Sequence, residues 1–193
     1  MPAEPVAAGP ARPVRLTGRG LVLRGWEPAD LPAMVELFDD PEIAYRTPLP
    51  TPFTPADAAN RLRRAAQPGP LLLAITAEDA EDTVPLGEVM LKENGELGYL
   101  VGARYRGRGL ATRAVLLLRD HAHEVAGMPV LGLKIEPDNQ ASIAVARGAG
   151  FHLSRPAAEV VQHRGRRCVL DLWEYAPEPS PRTLATDRPP PRA

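Results

Sequence analysis

The residues best equipped for chemistry lie between Gly98 and Thr112, which read Gly-Tyr-Leu-Val-Gly-Ala-Arg-Tyr-Arg-Gly-Arg-Gly-Leu-Ala-Thr. Tyr99, Leu100 and Val101 form a short apolar run; Arg104, Arg106, Gly107, Arg108 and Gly109 form a turn; a helical pattern starts at Leu110. A strand, a Gly/Arg turn and a helix start make an anion seat. The first N–H groups of a helix have no partner within it and sit at its positive end. Gly107 and Gly109 let backbone approach a bulky anion, and the planar guanidinium of arginine suits phosphate.

Which anion depends on spacing. A dinucleotide turn needs Gly-x-Gly-x-x-Gly, and here Thr112 stands where the third glycine belongs. A nucleoside-triphosphate loop ends in Gly-Lys-Ser/Thr, which this stretch lacks. An Arg/Gln-x-x-Gly-x-Gly/Ala turn is matched by Arg106, Gly109 and Ala111. On these residues alone, a plain glycine-rich turn with solvated arginines stays open.

The elements that must position this stretch can be read outward from it. Leu21 to Arg24, after Gly18 and Gly20, is a first strand. Leu31, Met34, Val35 and Phe38 recur at helical spacing until Pro41 breaks the pattern. Pro48, Pro50, Pro52 and Pro55 mark an irregular loop, and Thr54 with Pro55 caps the next helix. Leu71 to Thr76 and Val84 to Leu91 read as strands around a polar Glu78–Thr83 turn, and Asn94-Gly95 as a hairpin into Glu96 to Val101. The helix from Leu110 ends at Gly127 and Pro129, Val130 to Ile135 is a strand, and Asp138 or Asn139 caps a short helix closed by Gly150. Phe151 to Leu153 and Val160-Val161 are strand pieces, turned at Gly165 into Cys168 to Tyr175. The sum is a mixed α/β domain over residues 15–176, with Pro-rich, disordered tails at 1–14 and 177–193.

The chain has 193 residues, 23 basic and 24 acidic, and a net charge of −1, which lacks the basic excess of a nucleic-acid binder. Its one cysteine, Cys168, rules out an internal disulfide and reads as core. No apolar run reaches the ~18 residues of a membrane span. The start, Met-Pro-Ala-Glu-Pro, has no secretory pattern, so the expectation is a cytoplasmic protein, monomer or homodimer. His121 and His123 fall on different helix faces, and no metal site is expected.

Three pieces occur in order: Leu21 to Asp30; Glu96-Leu97-Gly98-Tyr99 running into Arg106 to Thr112; and Asn139-Gln140-Ala141-Ser142 followed by Gly150-Phe151. Together they resemble the GNAT superfamily of acyl-CoA N-acyltransferases, most of all the ribosomal-protein acetyltransferases typified by RimJ and RimL. The resemblance implies a mostly antiparallel central sheet with flanking helices and one splayed parallel pair, here Glu96 to Val101 and Val130 to Glu136. It implies that acetyl-CoA lies in the splay. Pantetheine would bond strand-like to Leu100 and Val101 and to Asn139, with pyrophosphate on Arg106, Gly107, Arg108, Gly109, Leu110, Ala111 and Thr112. An amine, from a protein N-terminus or a small molecule, would attack the thioester directly.

The resemblance also leaves gaps. The tyrosine that many members place seven residues after the asparagine is Ala146 here, and the glutamate some place on the preceding strand is Lys134. Ser142 is the expected proton donor or water anchor, and Glu96 the first choice of base, ahead of Glu88 and Glu136, with a water chain as the equal alternative. Without the tyrosine, an inactive acyl-CoA-binding or sensing module is the alternative. Trp26 and Tyr45 read first as packing, with lining of the acceptor pocket as the alternative, and Arg61, Arg63 and Arg64 as a solvated helix face that could steer an acidic acceptor.

Overall fold

Leu, Ile and Val at alternate positions of successive strands give one sheet two apolar faces, and each face is covered by helices. The computed structural model describes residues 14–78 and 84–177. The Pro-rich ends and most of the Glu78–Thr83 turn lie outside the described residues. The strands are β1 (Arg15–Gly18), β2 (Leu21–Gly25), β3 (Leu71–Ala77), β4 (Gly87–Leu91), β5 (Glu96–Val101), β6 (Leu131–Ile135), β7 (His152–His163) and β8 (Arg166–Tyr175). The helices are α1 (Leu31–Phe38), α2 (Pro41–Arg46), α3 (Pro55–Ala65), α4 (Leu110–Glu124) and α5 (Gln140–Gly148). The sheet order is β1-β2-β3-β4-β5-β6-β8-β7. Every neighbouring pair is antiparallel except β5 and β6. Among the described residues no helix is long and apolar enough to cross a membrane.

One face packs on α4 and α5, where Leu97, Leu131, Leu133 and Trp173 meet Leu110, Val115, Leu118 and Ile143. The other packs on α1, α2 and α3, where Ala74 and Leu100 meet Met34, Phe38, Ile43, Phe53 and Ala58. Two ion pairs, one buried and one partly buried, stiffen this second side. Arg24 donates to both carboxylate oxygens of Asp30 at 2.7 and 2.9 Å. Arg61 reaches across to Glu88, which also accepts from Trp26 Nε1 at 2.8 Å. Cys168 is buried.

The structure departs from the sequence expectation at several points. Pro41 does end α1, but it also opens α2, because proline fits a first helical position and Asp40 caps it through the N–H groups of Glu42 and Ile43. β1 is a further strand, paired with β2 across the Gly18–Gly20 turn. The strand expected from Val84 begins at Gly87. The two expected pieces after Phe151 are one strand, whose periodicity is broken by register shifts between Leu153 and Glu159.

Candidate functional site

The parallel pair is short. Glu96 stands opposite Gly132 and Leu97 opposite Leu133, and there the pairing stops, although β5 runs on to Val101 and β6 to Ile135. β5 stays paired with β4, and β6 with β8, so the sheet forks between Gly98–Val101 and Lys134–Ile135. The fork leaves backbone groups without a strand. Lys92 N–H donates to Glu96 O at 2.9 Å and Gly102 N–H to Leu86 O at 3.0 Å. Antiparallel bonding alternates, so Gly98 and Leu100 also turn their N–H groups toward β4. Tyr99 and Val101 turn theirs into the fork. Leu100, expected to offer its backbone, offers its side chain to the cavity wall instead, with Tyr99 taking the backbone position beside Val101.

Beyond β5 the chain turns through Gly107 (φ 76°) and Gly109 (φ 67°) into α4. A Cβ on either would meet nothing within 4 Å, so the left-handed backbone, not crowding by protein, is what calls for glycine. The first bond of the helix ladder runs from Arg113 N to Gly109 O at 3.1 Å. The N–H groups of Leu110, Ala111 and Thr112 precede it and face outward.

A cavity of about 410 Å³ joins these parts. It runs from Arg106, Gly107, Gly109 and the first turn of α4, along Tyr99, Leu100 and Val101, to Asn139, Ser142 and Val145 of α5 and to Glu42, Ile43, Arg46 and Thr47 beside α2. Tyr99 and Val101 face α4 and α5 while Leu100 faces α1 to α3, so the cavity passes through the sheet.

The predicted site residues divide. Leu100, Val101, Arg106, Gly107, Gly109, Leu110, Ala111, Thr112, Asn139 and Ser142 all line the cavity; Arg108 and Glu96 do not. Glu96 sits at the closed end of the fork, held by Lys92 and by Lys134 at 2.9 Å. Burial works against its charge, but hydrogen bonds from those two lysines outweigh it and keep the carboxyl below its usual range. Glu88 is buried under Arg61 and Trp26, and Glu136 is held by Arg166 and Arg46. Asn139 caps α5, its Oδ1 accepting from Ser142 N–H at 3.0 Å. Of the turn's arginines, Arg104 pairs with Glu36 at 2.6 Å. Arg106 pairs with Asp40 at 3.1 Å and donates from Nε to Val101 O at 3.1 Å. Arg108 has no carboxylate partner among the described residues.

Tyr99, Glu42 and Arg46 are among the lining residues to which the sequence reading gives no role. Tyr99 brings a phenol, donated to Ser142 O at a long 3.5 Å; burial pushes its pKa up to about 12. Glu42 is the carboxylate among the described lining residues, 3.1 Å from Arg46 Nε. Arg46 in turn reaches Asp138 at 2.8 Å. The alternation of β5 was a usable signal for Tyr99. Glu42 and Arg46 belong to a six-residue helix with no periodicity to read.

Comparison with known proteins gives the same outline. The sequence model of the acetyltransferase (GNAT) domain family matches residues 20–152. The chain is 25% identical over 165 residues to an uncharacterized N-acetyltransferase, p20, of Bacillus licheniformis, covering 81% of this chain and 91% of that one. Its fold is similar to that of the ribosomal-protein-S5-alanine acetyltransferase of Vibrio fischeri, with TM-score 0.69 and 17% identity, covering 84% of this chain and 96% of that one. It is also similar to the microcin C7 self-immunity acetyltransferase MccE, solved with acetyl-CoA and AMP, with TM-score 0.70 and 18% identity, covering 82% of this chain and 93% of that one.

Proposed function

The chain belongs to the acetyltransferase (GNAT) family, and on that premise we propose that it transfers an acetyl group from acetyl-CoA directly to a primary amine of a protein N-terminus or a small molecule. The observation that carries this reading is the cavity through the sheet. One end is a helix N-terminus behind two glycines, the middle is a strand with free N–H groups, and the far end opens beside α2.

The chain's own groups suit each part of such a donor. The N–H groups of Leu110, Ala111 and Thr112 suit a pyrophosphate. The N–H groups of Tyr99 and Val101, with the Asn139 amide, suit the amides of pantetheine. Arg106 acts through its backbone; its guanidinium is engaged with Asp40 and holds Val101 O. Backbone donors in the fork, fixed by β4, suit the charge that develops on the thioester oxygen.

The amine nitrogen forms its bond to the acyl carbon as the carbon–sulfur bond breaks. The nitrogen gives up one proton, and the leaving thiolate takes one. An α-amino group, with a pKa of roughly 8, needs little help, and a lysine at roughly 10.4 needs more. Glu96 is outside the cavity and charge-paired, so water at the α2 end, next to Glu42, receives that proton. Tyr99 is the proton donor to sulfur: burial keeps its phenol protonated, and its hydroxyl is only weakly engaged with Ser142. Ser142, on the same wall, anchors water beside it.

The test is acetyl-CoA turnover and binding on a broad panel of amines and N-terminal peptides, with Gly109→Asp as the donor-site variant. Asp adds a strained left-handed residue and a negative charge at the helix end. Expected are thiol release by the wild type and loss of acetyl-CoA affinity in the variant. Acetyl-CoA bound without turnover on any amine would favour an acyl-CoA-sensing module instead, and undiminished affinity in Gly109→Asp would misplace the pyrophosphate.

A further inference from the structure

A second cavity, of about 210 Å³, lies under the loop that follows α2 and against α3. Leu49, Phe53, Leu72 and Met90 form its walls, and Asn60 and Arg64 line it from α3. It adjoins the fork. Met90 stands opposite Gly98, and Gly98 is the first β5 residue past the last pair with β6. A Cβ on Gly98 would fall 2.9 Å from Met90 Cε, so the Met90 side chain covers the start of the fork on this face. The loop makes the second junction: Arg46 and Thr47 line the through-sheet cavity, and Leu49 and Pro50 line this one. The donor's helices, α4 and α5, occupy the opposite face. An amine reaching the fork from the α2 side therefore has this cavity beside it.

Its walls are apolar, and its mouth carries charges of both signs, Asp57 and Arg64. Arg61 is neutralised by Glu88, with Nε 3.0 Å from the carboxylate, and its guanidinium lies 5.2 Å from the Phe38 ring centre. Asp57 is held by the Thr54 N–H at 2.9 Å and by the Thr54 hydroxyl, and those hydrogen bonds favour its charged form. Arg64 is exposed and has no carboxylate partner among the described residues. A cation entering between those walls gives up its hydration, whereas an apolar group exchanges water for Leu49, Phe53, Leu72 and the adaptable Met90. We infer that this cavity is a specificity pocket of the acceptor and takes an aliphatic or aromatic group carried next to the reacting amine, in preference to no side chain or a cationic one.

The inference rests on the acetyl-transfer reading. It is tested by kcat/KM of the full chain on peptides alike except for residue one, with Leu, Met or Phe against Gly and Lys, and on free amines with the same side groups. The expected preference for the apolar groups over Gly is roughly tenfold or more, with Lys no better than Gly. Asn60 is exposed, so Asn60→Trp places a ring over the mouth without touching the core. It is expected to shrink the preference to within about twofold. Arg64→Glu is a second, independent variant, expected to raise the Lys-bearing acceptor several-fold against Gly. A flat wild-type panel overturns the inference and leaves acetyl transfer standing. A preference untouched by Asn60→Trp, or a Lys rate untouched by Arg64→Glu, overturns it as well. No turnover on any amine, with acetyl-CoA bound, sinks the acetyl-transfer reading and this inference with it.

Discussion

Replacing Asp40 separates two jobs that its carboxylate does at once. Its side chain caps α2, accepting from Glu42 N–H at 2.8 Å and Ile43 N–H at 3.0 Å. It also holds Arg106 at 3.1 Å, and Arg106 in turn holds Val101 O. The donor turn is thereby tied to the helix that walls the far end of the cavity. Losing an N-cap costs about 1 kcal/mol, and losing a partly exposed ion pair about 0.2–1 kcal/mol. Asp40→Ala should therefore cost about 1–2 kcal/mol in urea unfolding, and lower Tm by a few degrees in a chain of this length. Asp40→Asn keeps an oxygen for the two N–H groups and loses only the ion pair, so it should cost at most about 1 kcal/mol. The kinetic effect should fall on the acceptor. A frayed α2 moves Ile43, Arg46 and Thr47, so the KM for the amine rises several-fold in Asp40→Ala, while the KM for acetyl-CoA changes less because the α4 N-terminus stays intact. Equal stability of the Ala and Asn variants would refute the cap argument. A rise in the acetyl-CoA KM alone would refute the assignment of α2 to the acceptor side.

Tyr99→Phe should lower kcat about a hundredfold when chemistry limits the rate, the usual scale for a positioned proton donor, with the acetyl-CoA KM unchanged; Ser142→Ala should cost less, and an unchanged single-turnover rate in Tyr99→Phe would remove the phenol from the mechanism. Gly87→Ala should destabilise the protein by about 1–3 kcal/mol and weaken acetyl-CoA binding, because its Cβ would sit 2.3 Å from Leu100 O and 3.0 Å from Val101 Cα, backbone that no rotamer change can clear; Gly25→Ala, with nothing within 4 Å, is the matched control and should be near neutral. Acid should unfold the protein through its paired carboxylates. Arg166 lowers Glu136, and Asp40 and Glu96 lie low because hydrogen bonds to backbone, Arg106 or lysines outweigh the opposing effect of burial. Folded values below unfolded ones mean that their stabilisation is complete above the ordinary carboxylate pKa of roughly 4 and is lost as pH falls through the folded values; urea midpoints that stayed level from about pH 6 to about pH 3 would contradict this.

The turn into α4 and the strand before it were legible because they are local and made of backbone. Gly107 and Gly109 announce left-handed φ, Leu110 onward announces a helix, and Asn94-Gly95 announces the hairpin that delivers β5. A few consecutive residues decide each of these. The errors lie where a decision rests on residues far apart in the chain. Glu96 is on β5 but at the closed end of the fork, and only its pairing with Gly132 reveals that. Leu100 and Tyr99 differ by the phase of an alternation set by β4, not by β5 itself. β1 is four residues at a sheet edge, too short and too exposed to carry a pattern. α2 is six residues led by a proline, which propensity reads as a stop and the Asp40 cap turns into a start.

The same division bears on what determines the acceptor. Everything on the α2 side is an assembly across sequence: Glu88 with Trp26 and Arg61, Met90 over Gly98, Arg46 with Asp138, and Arg166 reaching from β8 to Tyr45 O at 2.7 Å. Each of those contacts uses at least one side chain, so changing it alters shape or charge without disturbing the fork. The proposed donor seat has no such freedom, because the groups it offers are N–H groups whose positions the sheet and α4 fix. Variants on α3 and on the α2 loop should therefore change which amine is used at nearly constant acetyl-CoA affinity. Variants at Gly109 should change acetyl-CoA affinity for every amine alike. If Asn60→Trp and Gly109→Asp failed to separate in this way, the two faces of the sheet would not be the two halves of the reaction.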